Sequence, residues 1–236
     1  AHAVGAWLQL NKRQKVLFLD LDQQGNLTYS LGASHSDYDA LEVLKTGKLE
    51  TGKIQNTAAG YHVVPSSPAL ANIDSVLNQV GKEYRLKEAL AGLEDYDYVV
   101  MDTPPSLNII TINALTASDF ALIPAQADIF SLQGITQLAQ TIDVVKRYTN
   151  TNLKVLGVVL TKHNTRSVLG RDLQQVITDT ATHIHTKVYT QFIREAVAVR
   201  EAQAMKQDIF SYDAKSNPAK DYDLLMKEVW KDICHE

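Results

Sequence analysis

Six short runs rich in Val, Ile and Leu, spaced by helical stretches, constrain this chain more than any other feature. They are KVLFLD (15–20), YHVVPSS (61–67), YVVMDTPP (98–105), FALIPAQ (120–126), KVLGVVLTK (154–162) and KVYTQFI (187–193). Four are near-continuous apolar runs without period-two alternation, the pattern of strands covered on both faces. Between them the spacing predicts helices over 2–11, 68–79, 82–93, 107–117, 131–148, 167–181 and 217–234. In the last, Tyr222, Leu225, Met226, Val229, Trp230 and Ile233 recur at i, i+3/i+4. Such alternation predicts an α/β fold, a mostly parallel twisted sheet with helices on both faces.

At 236 residues, 45% of them hydrophobic, the chain can bury one large core or two small ones. No Pro/Ser/Gly-rich or single-charge linker interrupts the pattern, so a single domain over 1–236 is expected. The net charge of −4 carries no global signal for nucleic acid. The charge is uneven, however: residues 141–220 hold 12 Lys/Arg against 7 Asp/Glu. This allows a basic sub-surface on an acidic protein, and equally an ordinary scatter of solvated charge. A single cysteine, Cys234, rules out an intrachain disulfide framework and a Cys-clustered metal site. No run of 18 apolar residues and no secretory signal pattern is present. A reducing cytoplasm is the expected location.

In parallel sheets flanked by helices, ligands bind at the carboxyl ends of the strands. Asp20 and Asp22 lie at and just past the end of the first strand, and Asp102 follows YVVM in the same way. Carboxylates at adjacent strand ends repel, and in a cleft they need a cation or raised pKa values. Three uses compete. Hydrated Mg2+ takes one or two carboxylates together with phosphate oxygens. A general acid/base pair serves glycosidases, but no aromatic platforms flank these acids. Any single Asp can also simply cap a turn. The flanking residues favour a phosphate. Gly25 and Asn26 supply a flexible turn directly after Asp22. Pro104 and Pro105 stiffen the turn between Asp102 and the next helix.

VLFLDLDQQGN (16–26), YDYVVMDTPPSL (96–107), IPAQADIFSLQGITQL (123–138) and IFSYDAKSNPAKDYDLLMKEV (209–229) occur in this order along the chain. Together they resemble the ParA/Soj family of plasmid and chromosome partition ATPases, a branch of the P-loop NTPases that also contains MinD. The resemblance runs over nearly the whole chain. It departs at Gln23, where Pro is usual, and at Gln133, where Glu is usual. The family carries a deviant Walker A loop directly before its first helix. AHAVGAWLQLNKRQKVLFLD resembles that helix and the strand after it, so the expectation is a chain cut just after its phosphate cradle.

The resemblance implies ATP and Mg2+ as ligands. It assigns Asp22 to positioning the attacking water, and Asp20 and Asp102 to the hydration shell of the metal. Gln24, Gly25 and Asn26, and Thr103, Pro104 and Pro105 with Ser106, would move with nucleotide state. Asn164, after the late strand, is the candidate adenine contact. IREAVAVREAQAMKQD (193–208) matches the family's DNA-binding stretch poorly: Ala198 stands where an Arg is usual. The candidate DNA contacts are therefore the basic residues around it, Arg166, Arg171, Arg194, Arg200, Lys206 and Lys215, with Lys220 adding charge. Family members form an ATP-bound sandwich homodimer that binds double-stranded DNA without sequence preference, and a ParB-like DNA-binding partner stimulates hydrolysis. The same cycle, cytoplasmic and nucleoid-associated, is expected for the intact protein.

Two other readings compete. A MinD-like membrane-associated ATPase needs a basic amphipathic tail. The tail here, DYDLLMKEVWKDICHE, carries five acids and two lysines, so no membrane association is expected. A non-catalytic dimerising module with a vestigial nucleotide pocket is the other.

Overall fold

Burial on both sides makes β1 (Val16–Asp20) the spine of the first half of the chain: all five of its residues are inaccessible to solvent. Side chains alternate across a strand. Leu17 and Leu19 therefore join a core with Val43, Leu44, Leu86, Ile110 and Ala114 on one face. Phe18 faces α1 (His2–Lys12) on the other, edge-on to the rings of His2 and Tyr61.

The computed structural model describes residues 1–163, 168–183 and 185–234. It divides into two compact units, residues 1–118 with 201–212, and residues 119–200 with 213–236. After β1 come α2 (Asn26–Ser30), α3 (Ala40–Thr46), β2 (Gln55–Asn56), β3 (His62–Val64), α4 (Ile73–Val76), α5 (Arg85–Leu90), β4 (Tyr98–Asp102) and α6 (Ile109–Ala117). The strand order is β2-β3-β1-β4. The β3–β1 and β1–β4 pairings are parallel, and β2 adds to β3 antiparallel. Segment 201–212 is tied into this unit by Tyr61, whose hydroxyl donates to Asp208 Oδ2 at 2.7 Å.

The second unit contains a parallel pair, β5 (Phe120–Ala125) and β6 (Lys154–Leu160), with a register shift between Ala121 and Leu122. α7 (Ile129–Tyr148) buries Ile135, Ala139, Ile142 and Val145 at helical spacing. α8 (Val168–His183), α9 (Val197–Ala204), α10 (Ile209–Asp213) and α11 (Asn217–Cys234) complete the chain. α11 packs on β6 and buries Leu225, Met226 and Val229.

The α/β architecture with a parallel-dominated sheet is as expected, and five of the six strand predictions hold to within a few residues. The run 187–193 does not form a regular strand. It makes one isolated bridge, Val188 to Val158, and a second follows at Arg194 to His163. The helices expected over 68–79 and 82–93 are broken into 3-10 turns at Pro68–Asn72 and Lys82–Tyr84 followed by the short α4 and α5. Gly81 in the left-handed region separates them.

Candidate functional site

Parallel pairing brings the ends of β1 and β4 together, and the register sets Asp20 opposite Asp102. The next residue continues the ladder: Leu21 N–H donates to the Asp102 carbonyl at 2.8 Å. β3, the other neighbour of β1, runs the same way and ends just before Pro65, Ser66 and Ser67. Three strand ends thus converge on one edge of the sheet.

Asp20 is fully buried. Its Oδ2 accepts two bonds from Thr28, from the backbone N–H at 2.7 Å and the hydroxyl at 2.6 Å. Its Oδ1 accepts a longer bond from Asp22 N–H at 3.2 Å. Burial raises its pKa above the ordinary carboxylate range; the Thr28 bonds oppose this and the Asp102 charge adds to it. Asp102 is half-buried, and its pKa is likewise raised by burial, with the Asp22 charge adding. The half-buried Asp22 heads a tight turn. Its side chain accepts from Gln24 N–H at 3.1 Å, and its carbonyl accepts from Gly25 N–H at 2.9 Å.

Gly25 is left-handed, φ 65°, and caps α2. A Cβ there would also come within 3.3 Å of the His35 ring. Glycine is the residue that takes this conformation without strain. Gln24 and Asn26 are exposed beside it. Thr103 and Pro105 are exposed and Pro104 half-buried in the loop after Asp102. That loop ends where the Asn108 side chain caps α6, accepting from Ile110 N–H at 3.0 Å.

Two residues that sequence reasoning passed over complete the site. The Thr28 hydroxyl, besides donating to Asp20, accepts from Ser66 N–H at 2.9 Å. The Ser66 hydroxyl donates to the Asp22 carbonyl, and His35 Nδ1–H donates to the Ser66 carbonyl at 2.9 Å. The available signal was that SS at 66–67 follows a strand parallel to β1, and so lies at the same sheet edge.

The donor set suits a hydrated divalent cation. Among the described residues no group of three or more His, Cys, Asp or Glu is placed to hold a metal ion directly. What the site offers is two mutually repelling carboxylates, held above their usual pKa range and facing one another across the ladder. Mg2+ fits such a set, because it keeps several waters and completes its shell with phosphate oxygens.

The other expected contacts divide. Arg194 is committed within the second unit: its guanidinium forks onto the buried Asp221 at 2.7 and 2.8 Å. Arg194, one of the expected DNA contacts, is thus held in a bidentate pair while its side chain stays 45% exposed. Arg200 and Lys215 are exposed, the former on α9. Lys206, in the first unit, is exposed with its Nζ over the Tyr29 ring at 5.1 Å. Asn164 and Arg166 lie outside the described residues, and Arg171 is placed only by its backbone on α8.

A family model described as an AAA domain matches residues 1–155. The chain is 35% identical over 230 residues to the sporulation initiation inhibitor protein Soj of Bacillus subtilis, covering 92% of this chain and 86% of that one. It is 34% identical over 225 residues to the chromosome partitioning protein ParA of Caulobacter vibrioides, covering 92% and 82%. Among solved structures it is similar to a Mycobacterium smegmatis protein described as cobyrinic acid a,c-diamide synthase, bound to an ATP analogue and magnesium. There the identity is 33%, the coverage 86% of this chain and 82% of that one, and the TM-score 0.73.

Proposed function

Since the chain belongs to the Soj/ParA family of partition ATPases, we propose that its three strand-end aspartates serve an ATP-driven cycle of DNA binding and release. The observation that carries this reading is the Asp20–Asp102 register pair with Asp22 in the turn beside it. Magnesium bound with ATP supplies charge neutralisation at the β- and γ-phosphates. Asp20, through the free capacity of Oδ1, and Asp102 hold the waters around that metal. Asp22 orients the water that attacks the γ-phosphate. Phosphoryl transfer asks chiefly for alignment and charge stabilisation, so orienting the water is the main task for a side chain. Gln24–Asn26 and Thr103–Pro105 are the segments that respond to the presence of the γ-phosphate.

ATP favours a sandwich homodimer, and losing the γ-phosphate shifts the population back. The dimer binds double-stranded DNA through phosphate contacts, without sequence preference, in the cytoplasm at the nucleoid. Arg200, Lys206 and Lys215 are exposed candidates for these contacts, Arg166, Arg171 and Arg194 are the others, and Asn164 is the adenine contact. A ParB-like DNA-binding partner stimulates hydrolysis. The DNA reading is favoured over a lipid one because the apolar stripe of α11 is already buried on β6. No helix among the described residues is long and apolar enough to cross a membrane.

The test uses the full-length protein. Mg2+-dependent ATP hydrolysis is expected, together with ATP-dependent retention on random-sequence duplex that weakens steeply with salt. Asp22→Ala should lower turnover by about 100-fold while nucleotide affinity is kept. A wild type without turnover, or an Asp22→Ala protein that turns over normally, refutes the assignment.

A further inference from the structure

The buried hydroxyls of Thr28 and Ser66 lie behind the aspartates, and nothing in the cycle proposed above uses them. Thr28 is 2% exposed and Ser66 0%. Buried polar groups are held to their partners because losing one leaves the other unsatisfied. Here the partners are the acids. The Thr28 hydroxyl has one proton and two lone pairs. Its proton goes to Asp20 Oδ2, and a lone pair takes Ser66 N–H. That chain of bonds fixes the direction of the hydroxyl. With the Thr28 backbone N–H on the same oxygen, Oδ2 carries two short bonds. Oδ1 carries only the 3.2 Å bond from Asp22 N–H. The asymmetry leaves Oδ1 as the oxygen with capacity to spare.

Ser66 acts on the second acid by a different route. Its hydroxyl donates to the Asp22 carbonyl, which also accepts from Gly25 N–H. Both lone pairs of that carbonyl are then engaged, and the orientation of the peptide after Asp22 is fixed. His35 Nδ1–H holds the Ser66 carbonyl from the far side.

We infer that Thr28 and Ser66 are positioning residues: Thr28 commits Oδ2 of Asp20 so that Oδ1 serves the cation shell, and Ser66 locks the backbone that carries Asp22. This rests on the ATPase reading above. The two routes can be cut separately. Thr28→Val is nearly isosteric, removes the hydroxyl and leaves Ser66 N–H unpaired, whereas Thr28→Ser keeps both bonds. Ser66→Ala keeps the Ser66 N–H bond to Thr28 and removes only the bond to the Asp22 carbonyl.

The probe is Mn2+, titrated by electron paramagnetic resonance into full-length protein with a non-hydrolysable ATP analogue. Thr28→Val should weaken Mn2+ binding by about 10-fold, the usual cost of removing a group that orients a metal-site carboxylate. Thr28→Ser should restore it to within about twofold of wild type. Ser66→Ala should leave Mn2+ binding near the wild-type value. It should lower kcat by about 10-fold with KM unchanged, and speed amide exchange in the peptide covering 22–26. Thr28→Val that melts earlier yet binds Mn2+ as wild type does overturns the assignment and leaves Thr28 a folding residue only. Failure of Thr28→Ser to rescue also overturns it, as does unchanged kcat in Ser66→Ala. A wild type that takes up no Mn2+ with the analogue overturns the ATPase reading itself and this assignment with it, so the two failures are told apart by the wild-type titration.

Discussion

Replacing glycine by alanine inside a helix ordinarily stabilises a protein, by about 0.5–1 kcal/mol. Gly5 in α1 should do the reverse. A Cβ built on Gly5 falls 2.2 Å from Cζ and 2.4 Å from Cε1 of Phe18. Carbon atoms settle at about 3.5–4.0 Å, so helix and ring must separate by roughly 1.3 Å or more. The ring cannot simply swing away: Phe18 is fully buried on β1 and meets Tyr61 edge-on at 5.5 Å. Over-packing of this kind costs about 1–3 kcal/mol. Set against the helix-propensity gain, Gly5→Ala should destabilise by a net of up to about 2.5 kcal/mol.

Gly134 in α7 is the control. Nothing lies within 4 Å of a Cβ there, and its φ is not in the left-handed region. Gly134→Ala should therefore stabilise, by about 0.5–1 kcal/mol. Urea denaturation of both variants beside wild type measures the two effects in one experiment. Opposite signs are expected. A stabilised Gly5→Ala would show that α1 does not pack as closely on Phe18 as described, and the reasoning fails there.

Two more predictions concern polar groups. Asn113, fully buried on α6, accepts from Leu86 N–H at 3.1 Å and donates to the carbonyls of Lys82 and Ile109 at 2.9 Å each. Asn113→Ala orphans a donor at the start of α5 and a carbonyl beside it, which should cost about 2–4 kcal/mol; a melting shift below about 2 °C would contradict this. The second is a pH dependence. Asp20 and Asp102 have pKa values raised in the folded, ligand-free protein, both by burial first, with the charge of Asp102 adding at Asp20 and that of Asp22 adding at Asp102. An acid raised on folding binds more protons folded than unfolded, so its destabilising effect is absent below the unfolded pKa and grows as pH rises through the folded one. Asp102→Asn removes one such acid. The stability difference between Asp102→Asn and wild type should therefore shift in favour of the variant from about pH 4 to pH 7, and a flat difference in chemical denaturation would refute it.

The elements that were legible in the sequence owe their shape to local pattern. β1 and β4 are continuous apolar runs ending in Asp, and α11 carries its buried Leu225, Met226 and Val229 at helical spacing. α3 also left a signal that went unread: Asp39 caps the helix by accepting from Glu42 N–H, and Glu42 stands three residues after it. The segment 187–193 was over-read as a strand because its apolar content matches one. In the structure its side chains take up separate tasks. Lys187 and Tyr189 both reach Asp232, and Gln191 donates to Asp221. Arg194 just beyond follows Gln191 to Asp221. The backbone bonds to β6 at Lys187, Tyr189 and Ile193 are not joined, among the described residues, by any from residues 190–192, and the ladder is interrupted there. The acids of the site were legible by their place at strand ends. Thr28 and Ser66 were not, because their bond spans 38 positions and a serine after a strand looks like any turn residue.

The carboxylate pair is a conflict that the fold resolves only in part. Parallel register forces Asp20 and Asp102 to be neighbours, and burial raises the cost of charging either of them. Three hydrogen bonds to Asp20 offset some of that cost, and all three come from the turn and helix just after it. A protein selected for stability alone would place an amide or an apolar side chain at one of the two positions, since a lone buried charge is expensive. Retaining both acids makes physical sense where a cation is recruited to the pair, and the same cation then becomes part of what holds the strand ends together. On this argument ligand binding and local stability are one quantity at this edge of the sheet. The segments 22–26 and 103–106 lie next to the acids and contribute little to the core, so a ligand bound at the acids would bear on them first.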